Sequence, residues 1–239
     1  MNQAVKIQTV SQGLFAVPIK TFNFGDSLHE LNENLVSDII KEVSEDPKGV
    51  VKSNFGGWHS QLGLEKKYES FKCLQGIIEN CGNIYCEDYG YERDIECFDL
   101  WANVNGSGDH NTPHQHNLSA LAGVYYPLGF LDDEQKVFNY VEGDVYLQPH
   151  STNGVDGGSL TLFDPNQGKR IHLNTISDEW HNVSYMHLYP TAGVLVLFPT
   201  YLVHSVNPFK EEKQKRLSIS FEFSYGQGGN FDSKESTEQ

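Results

Sequence analysis

From Ile95 onward the chain is written in short runs. Residues 98–104, 120–127, 158–163, 194–198 and 217–223 are alternating or continuously apolar stretches separated by turn-rich segments. Strand-length runs punctuated in this way predict an antiparallel sandwich or barrel rather than βαβ units. Residues 105–111, 148–157 and 165–169 read as loops between them. The last stretch, 226–239, is polar and Gly-rich and reads as a flexible tail.

The N-terminal part has a different texture. Residues 14–21 form a short apolar strand candidate ending near Pro18. Ser27 and Glu30 have capping-box spacing, and Leu28, Leu31, Leu35, Val36, Ile39, Ile40 and Val43 recur at helical intervals. That helix should stop before Pro47-Lys48-Gly49. A second is predicted from about residue 65 to 85, with Phe71, Leu74, Ile77, Ile78, Cys81 and Tyr85 on its inner stripe. No Pro/Ser/Gly-rich linker divides the sequence. The expectation is one domain over 1–239: an N-terminal strand and two helices (1–94) packed on a mainly β core (95–225), followed by the tail (226–239).

Charge narrows the partners. Thirty-two Asp and Glu against 17 Lys and Arg give a net charge of −15, which argues against nucleic acid, whose phosphates need clustered cations. No apolar run approaches the ~20 residues of a membrane span. The N-terminus lacks a basic segment followed by an apolar one, so a cytoplasmic protein is expected. Cys73, Cys81, Cys86 and Cys97 include no C-x-x-C pair, and without a secretion signal they read as free thiols.

Function is concentrated in a few positions. His114 and His116 are two apart on an extended segment, so both imidazoles project to one face. His204 stands beside another strand candidate. Arg216 follows in a strand where Arg216, Ser218 and Ser220 alternate with Leu217, Ile219 and Phe221. The polar face of that strand either meets water or lines a polar pocket, and periodicity leaves both open. Three histidines with an open coordination side suit a catalytic metal, whereas a structural site is closed by four ligands. His110 is a further ligand candidate; His29, His150, His172, His181 and His187 read as ordinary histidines. Upstream, Trp101 and Asn103 share one face of a strand, and Tyr125-Tyr126 ends another. The segment Ser53-Asn54-Phe55-Gly56-Gly57-Trp58-His59-Ser60 allows close backbone approach at its glycines. Trp58 and His59 then either wall a substrate mouth beside Trp101, or Trp58 is a buried anchor.

Taken together, these segments resemble the Fe(II)/2-oxoglutarate-dependent oxygenases, a superfamily that includes the prolyl hydroxylases. More narrowly, 53–60, Trp101-x-Asn103, 114–126 and Pro199 to His204 resemble the 2-oxoglutarate–Fe(II) oxygenases found in bacteria and phages. The resemblance implies a double-stranded β-helix (jelly-roll, cupin-like) core with flanking N-terminal helices. It implies an oxygenase using Fe(II) and 2-oxoglutarate, with His114, His116 and His204 as metal ligands. Arg216 would grip the far carboxylate of 2-oxoglutarate, assisted by Ser218, Tyr126 and Asn103. The prime substrate would be a small molecule or a peptide side chain; a homo-oligomer is left open. One departure stands out: His116 occupies the place where the superfamily usually has Asp, leaving the site one negative charge short. A cupin-like metal enzyme that does not use 2-oxoglutarate, or a non-catalytic jelly-roll binding module, stays open on the sequence alone.

Overall fold

The computed structural model describes residues 16–91, 95–116, 119–132, 135–148, 157–166 and 183–225. The predicted tail lies outside these residues, as do His150, His172 and His181. In chain order the elements are β1 (Lys20–Asn23), α1 (His29–Glu45), β2 (Asn54–Phe55), β3 (Trp58–His59), α2 (Leu64–Lys67), α3 (Glu69–Tyr89), β4 (Ile95–Asn105), β5 (His110–His114), β6 (Leu121–Tyr126), β7 (Phe130–Asp132), β8 (Gln135–Val137), β9 (Leu160–Phe163), β10 (Tyr185–Leu188), β11 (Val194–Pro199), β12 (His204–Val206) and β13 (Gln214–Tyr225). Among the described residues no helix is long and apolar enough to cross a membrane.

The strands form two antiparallel sheets. The larger runs β1-β11-β6-β13-β4-β3, with β7 also paired to β13 and β8 to β7; the smaller runs β10-β9-β12-β5-β2. Strand parity then divides the molecule into layers. On β13, Leu217, Ile219, Phe221 and Phe223 face the helices and join Leu35, Ile39, Phe71, Leu74 and Ile78 in one core. On β6 and β11, Ala122, Val124, Tyr126, Val194, Val196 and Phe198 face the other way and meet Leu160 and Leu162 of the smaller sheet in a second core. These two strands are apolar on both faces because both faces are covered. The opposite face of β13 and the facing side of β4 are polar, and a cavity opens beneath them.

Three local features differ from the sequence reading. Ser27 does not cap α1: its amide bonds Phe24 O and His29 N bonds Asp26 O, a tight turn that makes Leu28 the N-cap and leaves no side-chain cap. The second helix is interrupted at Tyr68, whose extended backbone separates α2 from α3. There the Tyr68 hydroxyl donates to Glu42 Oε2 at 2.7 Å, tying the break to α1. The helix also continues past residue 85, ending at Gly90, whose φ of 70° supplies the left-handed cap. All four cysteines are free.

The segment containing Gly56 and Gly57 is a corner between the sheets. β2 pairs with β5 in the smaller sheet and β3 with β4 in the larger. The two intervening glycines have φ of 68° and 65°. A Cβ on Gly57 would lie 2.9 Å from Asn105 Nδ2, so both conformation and space require glycine.

Candidate metal and cosubstrate site

His114 and His204 are direct cross-strand partners on β5 and β12, which puts their side chains on one face of the smaller sheet. His116 lies two residues beyond His114, where its amide bonds Thr200 O. The tight turn after Pro199, closed by Leu202 N on Pro199 O, delivers the chain into β12. One ligand nitrogen from each of the three histidines falls within 4.8 Å of the others, and His116 Nε2 is 3.3 Å from His204 Nε2. Imidazole nitrogens at right angles around one ion, each about 2.1 Å from it, would be ~3.0 Å apart.

The hydrogen bonds at the far ends of the rings fix which nitrogens face inward. Nδ1 of His114 meets Thr112 O at 2.7 Å, Nδ1 of His204 meets Leu202 O at 2.9 Å, and Nδ1 of His116 meets Glu222 Oε1 at 2.6 Å. Each Nδ1 therefore carries the proton and each Nε2 presents a lone pair to the centre, the tautomer that metal ligation requires. Burial, reinforced by the neighbouring His114, lowers the His204 pKa to about 3. Burial likewise lowers that of His114. At neutral pH both are lone-pair donors.

Arg216 lies in the same cavity and is only 1% exposed. Its guanidinium donates to Ser218 Oγ at 2.9 Å, to Tyr126 Oη at 3.0 Å and to Asn105 Oδ1 at 3.3 Å, while Nε has no partner. It stacks over the Tyr126 ring, 5.1 Å from the centroid. Among the described residues it has no carboxylate partner. A buried guanidinium without a counter-ion is costly, and its fork geometry matches a carboxylate.

A cavity of about 400 Å³ joins the three histidines to Arg216 and Ser218. The inward stripe of β13 runs Arg216, Ser218, Ser220, Glu222. Opposite it on β4 run Asn105, Asn103, Trp101 and Asp99. Asn103 and Trp101 line the cavity, but Asn103 donates to Ser220 Oγ at 3.1 Å, and Asn105 is the asparagine that touches Arg216. His59 also lines it, stacked on Trp101 with ring centroids 5.7 Å apart. Trp58, one residue earlier on β3, faces the helix core and donates from Nε1 to Asp46 O at 2.7 Å. It is an anchor and not part of a mouth. His110 is not in the histidine cluster; it stacks on Phe55 with centroids 4.9 Å apart. Glu222, which lines the cavity, and Asn105, which braces Arg216, were not singled out from the sequence. The alternation Arg216, Ser218, Ser220 leads to Glu222 at the next step. Burial, the largest single influence, works against ionisation of Glu222, but the interactions with His116, Ser119 and His204 together outweigh it and hold the carboxyl below its usual range.

Residues 99–222, a little over half of the chain, match the family described as "Putative 2OG-Fe(II) oxygenase". The chain belongs to this family. This oxygenase therefore works with non-haem Fe(II) and 2-oxoglutarate. No curated protein matches it. Among solved structures, a prolyl-4-hydroxylase of Pseudomonas putida is 16% identical with TM-score 0.57, over 87% of this chain and 92% of that one. A prolyl hydroxylase of Trichoplax adhaerens, solved with a hypoxia inducible factor peptide fragment, is 16% identical with TM-score 0.54, over 86% and 83%. The non-heme alpha ketoglutarate dependent epimerase SnoN from nogalamycin biosynthesis is 12% identical with TM-score 0.55, over 87% and 77%. At these identities the likeness is one of fold: the two sheets of the oxygenase form a double-stranded β-helix. The cavity fits both cofactors, with three inward Nε2 donors for the metal and, for a dicarboxylate, the Arg216 guanidinium, which has no carboxylate partner among the described residues.

Proposed function

We propose that His114, His116 and His204 hold Fe(II) and that Arg216 holds the far carboxylate of 2-oxoglutarate. The observation that carries this reading is Arg216, a buried cation with an unpartnered Nε, opening on the same cavity as the three histidines. Tyr126 and Ser218, already bonded to the guanidinium, orient it and can turn hydroxyl protons toward the incoming carboxylate. Asn105 braces it from β4. Asn103, bonded to Ser220, lines the wall between the two ends. Bound Fe(II), with 2-oxoglutarate and O2, supplies the oxidant that hydroxylates a C–H bond as 2-oxoglutarate becomes succinate and CO2. The protein's own part is to orient both molecules and to limit water in a cavity walled by Phe198, Val124 and Leu160.

The substrate in this reading is a small molecule or a peptide side chain that enters past Trp101, His59 and Lys52. Solved structures of similar fold include one in complex with a peptide fragment and one from nogalamycin biosynthesis. The net charge of −15 opposes nucleic acid. Four free thiols suit a reducing, cytoplasmic setting.

Aerobic incubation of the purified protein with Fe(II) and 2-oxoglutarate, followed by NMR, should show succinate even without prime substrate. Arg216→Ala and His204→Ala should each abolish it. Wild-type succinate release from either variant would overturn the assignment.

A further inference from the structure

Three neutral imidazoles around a divalent cation leave the full +2 charge uncompensated in a partly buried cavity. Among the described residues, the carboxylate that touches the cluster is Glu222. Its Oε1 lies 2.6 Å from His116 Nδ1, and both side chains are largely buried. Glu222 does not join the group of mutually close ligand atoms, which among the described residues comprises the three histidines alone. Its contact is with the ring nitrogen that faces away from the centre. His114 and His204 rest their Nδ1 protons on backbone carbonyls; only His116 among the three rests on a carboxylate.

We propose that Glu222 is a positioning residue of the metal site, accepting the Nδ1 proton of His116 so that Nε2 is held on the metal and supplying, through the ring, the negative charge that the three histidines lack. The inference rests on the triad reading above and deepens it. A carboxylate hydrogen-bonded to a ligating imidazole fixes the tautomer, aims the ring and raises its basicity as a donor. Geometry makes the arrangement hard to disturb. Glu222 is on β13, held between β4 and β6 by the pairs Glu222↔Asp99 and Glu222↔Ala122. His116 itself lies just past the end of β5, where strand pairing no longer fixes it. The carboxylate thus anchors the one histidine of the three that lies outside a strand.

The test uses Co(II) as the metal probe, titrated into the full-length metal-free protein and followed by its visible absorption. Glu222→Gln keeps the shape and can still accept a hydrogen bond while removing the charge; Glu222→Ala removes both. Glu222→Gln should weaken Co(II) binding by about 10- to 100-fold, and Glu222→Ala by at least as much, with far-UV circular dichroism and apo melting temperature close to wild type for Gln. In the Co(II) protein each bound histidine gives one hyperfine-shifted, exchangeable ring N–H resonance. The His116 resonance should move in Glu222→Gln and broaden by exchange in Glu222→Ala, while those of His114 and His204 stay. Wild-type Co(II) affinity and an unmoved His116 resonance in Glu222→Gln would overturn the proposal. His114→Ala and His204→Ala are the discriminating controls. If they still bind Co(II) tightly, the triad itself is wrong; if they lose it while Glu222→Gln does not, only the role of Glu222 falls.

Discussion

Replacing Arg216 with Met keeps most of the side-chain volume and removes the guanidinium. The three hydrogen bonds to Ser218, Tyr126 and Asn105 go with it, and so does the only buried cation lining the cavity among the described residues. Removing one partner of a buried charge pair costs about 3–5 kcal/mol, or roughly two to three and a half orders of magnitude in Kd. Thermal unfolding under anaerobic conditions, with the metal loaded and 2-oxoglutarate added at 100 times the wild-type Kd, reads this directly. Wild type should gain about 2.7 kcal/mol from the ligand, and the variant at most about 0.4 kcal/mol. For a chain of 239 residues those become upward shifts of about 5–11 °C and under about 2 °C. Stabilisation by the metal alone should persist in the variant, because none of the three histidines is on β13, and this separates a lost grip from a lost fold. A full wild-type shift with 2-oxoglutarate in Arg216→Met would refute the reasoning.

His204→Ala should lose stoichiometric metal binding, read by Co(II) titration, while circular dichroism stays native, since the two sheets are held by the apolar cores. For the metal-free protein, stability should fall with acid. The folded pKa of His204 is about 3 and the unfolded value about 6.5, so the unfolded chain binds the extra proton between those limits. Between pH 7.5 and 5.5 this costs about 1.4 kcal/mol. Urea unfolding should show a correspondingly smaller loss in His204→Asn, and an identical loss in both proteins would count against a neutral buried His204. Gly57→Ala should destabilise by about 1–2 kcal/mol through its left-handed backbone alone. It should also weaken 2-oxoglutarate binding, because the new methyl group displaces Asn105 from Arg216; a variant that melts lower yet binds 2-oxoglutarate normally would disconnect the two.

Much of this was legible because strands write their two faces at alternate residues. The Arg216, Ser218, Ser220 series already contained the pocket wall, and the H-x-H spacing put two imidazoles on one side. Sequence could not say whether that wall faced water or a cavity; the answer lies in β4, which brings Asn105, Asn103 and Trp101 across from it. Glu222 escaped notice since it is separated from His116 by 106 positions of chain and its meaning depends on a contact between sheets. The capping box at Ser27 failed for a local reason, a tight turn beginning at Phe24 that claims the amides first. Trp58 and His59 could not be assigned until β3 was placed, because adjacent strand residues point to opposite sides. The break at Tyr68 has no helix-breaking residue to announce it and arises from the tertiary bond to Glu42.

One property of β13 reaches further than the chemistry. The side facing the helices carries Leu217, Ile219, Phe221 and Phe223, each at most 1% exposed, and the side facing the cavity carries Arg216, Ser218, Ser220 and Glu222. A slip of one residue would turn four large apolar groups into the cavity, each forfeiting about 1.5–3 kcal/mol of burial. Errors in this strand are consequently all or none: a chain that has settled its core has also threaded both ends of the reaction centre, and a half-built centre has no stable host. A substitution anywhere along β13 is therefore felt by the apolar core and by the reaction centre together.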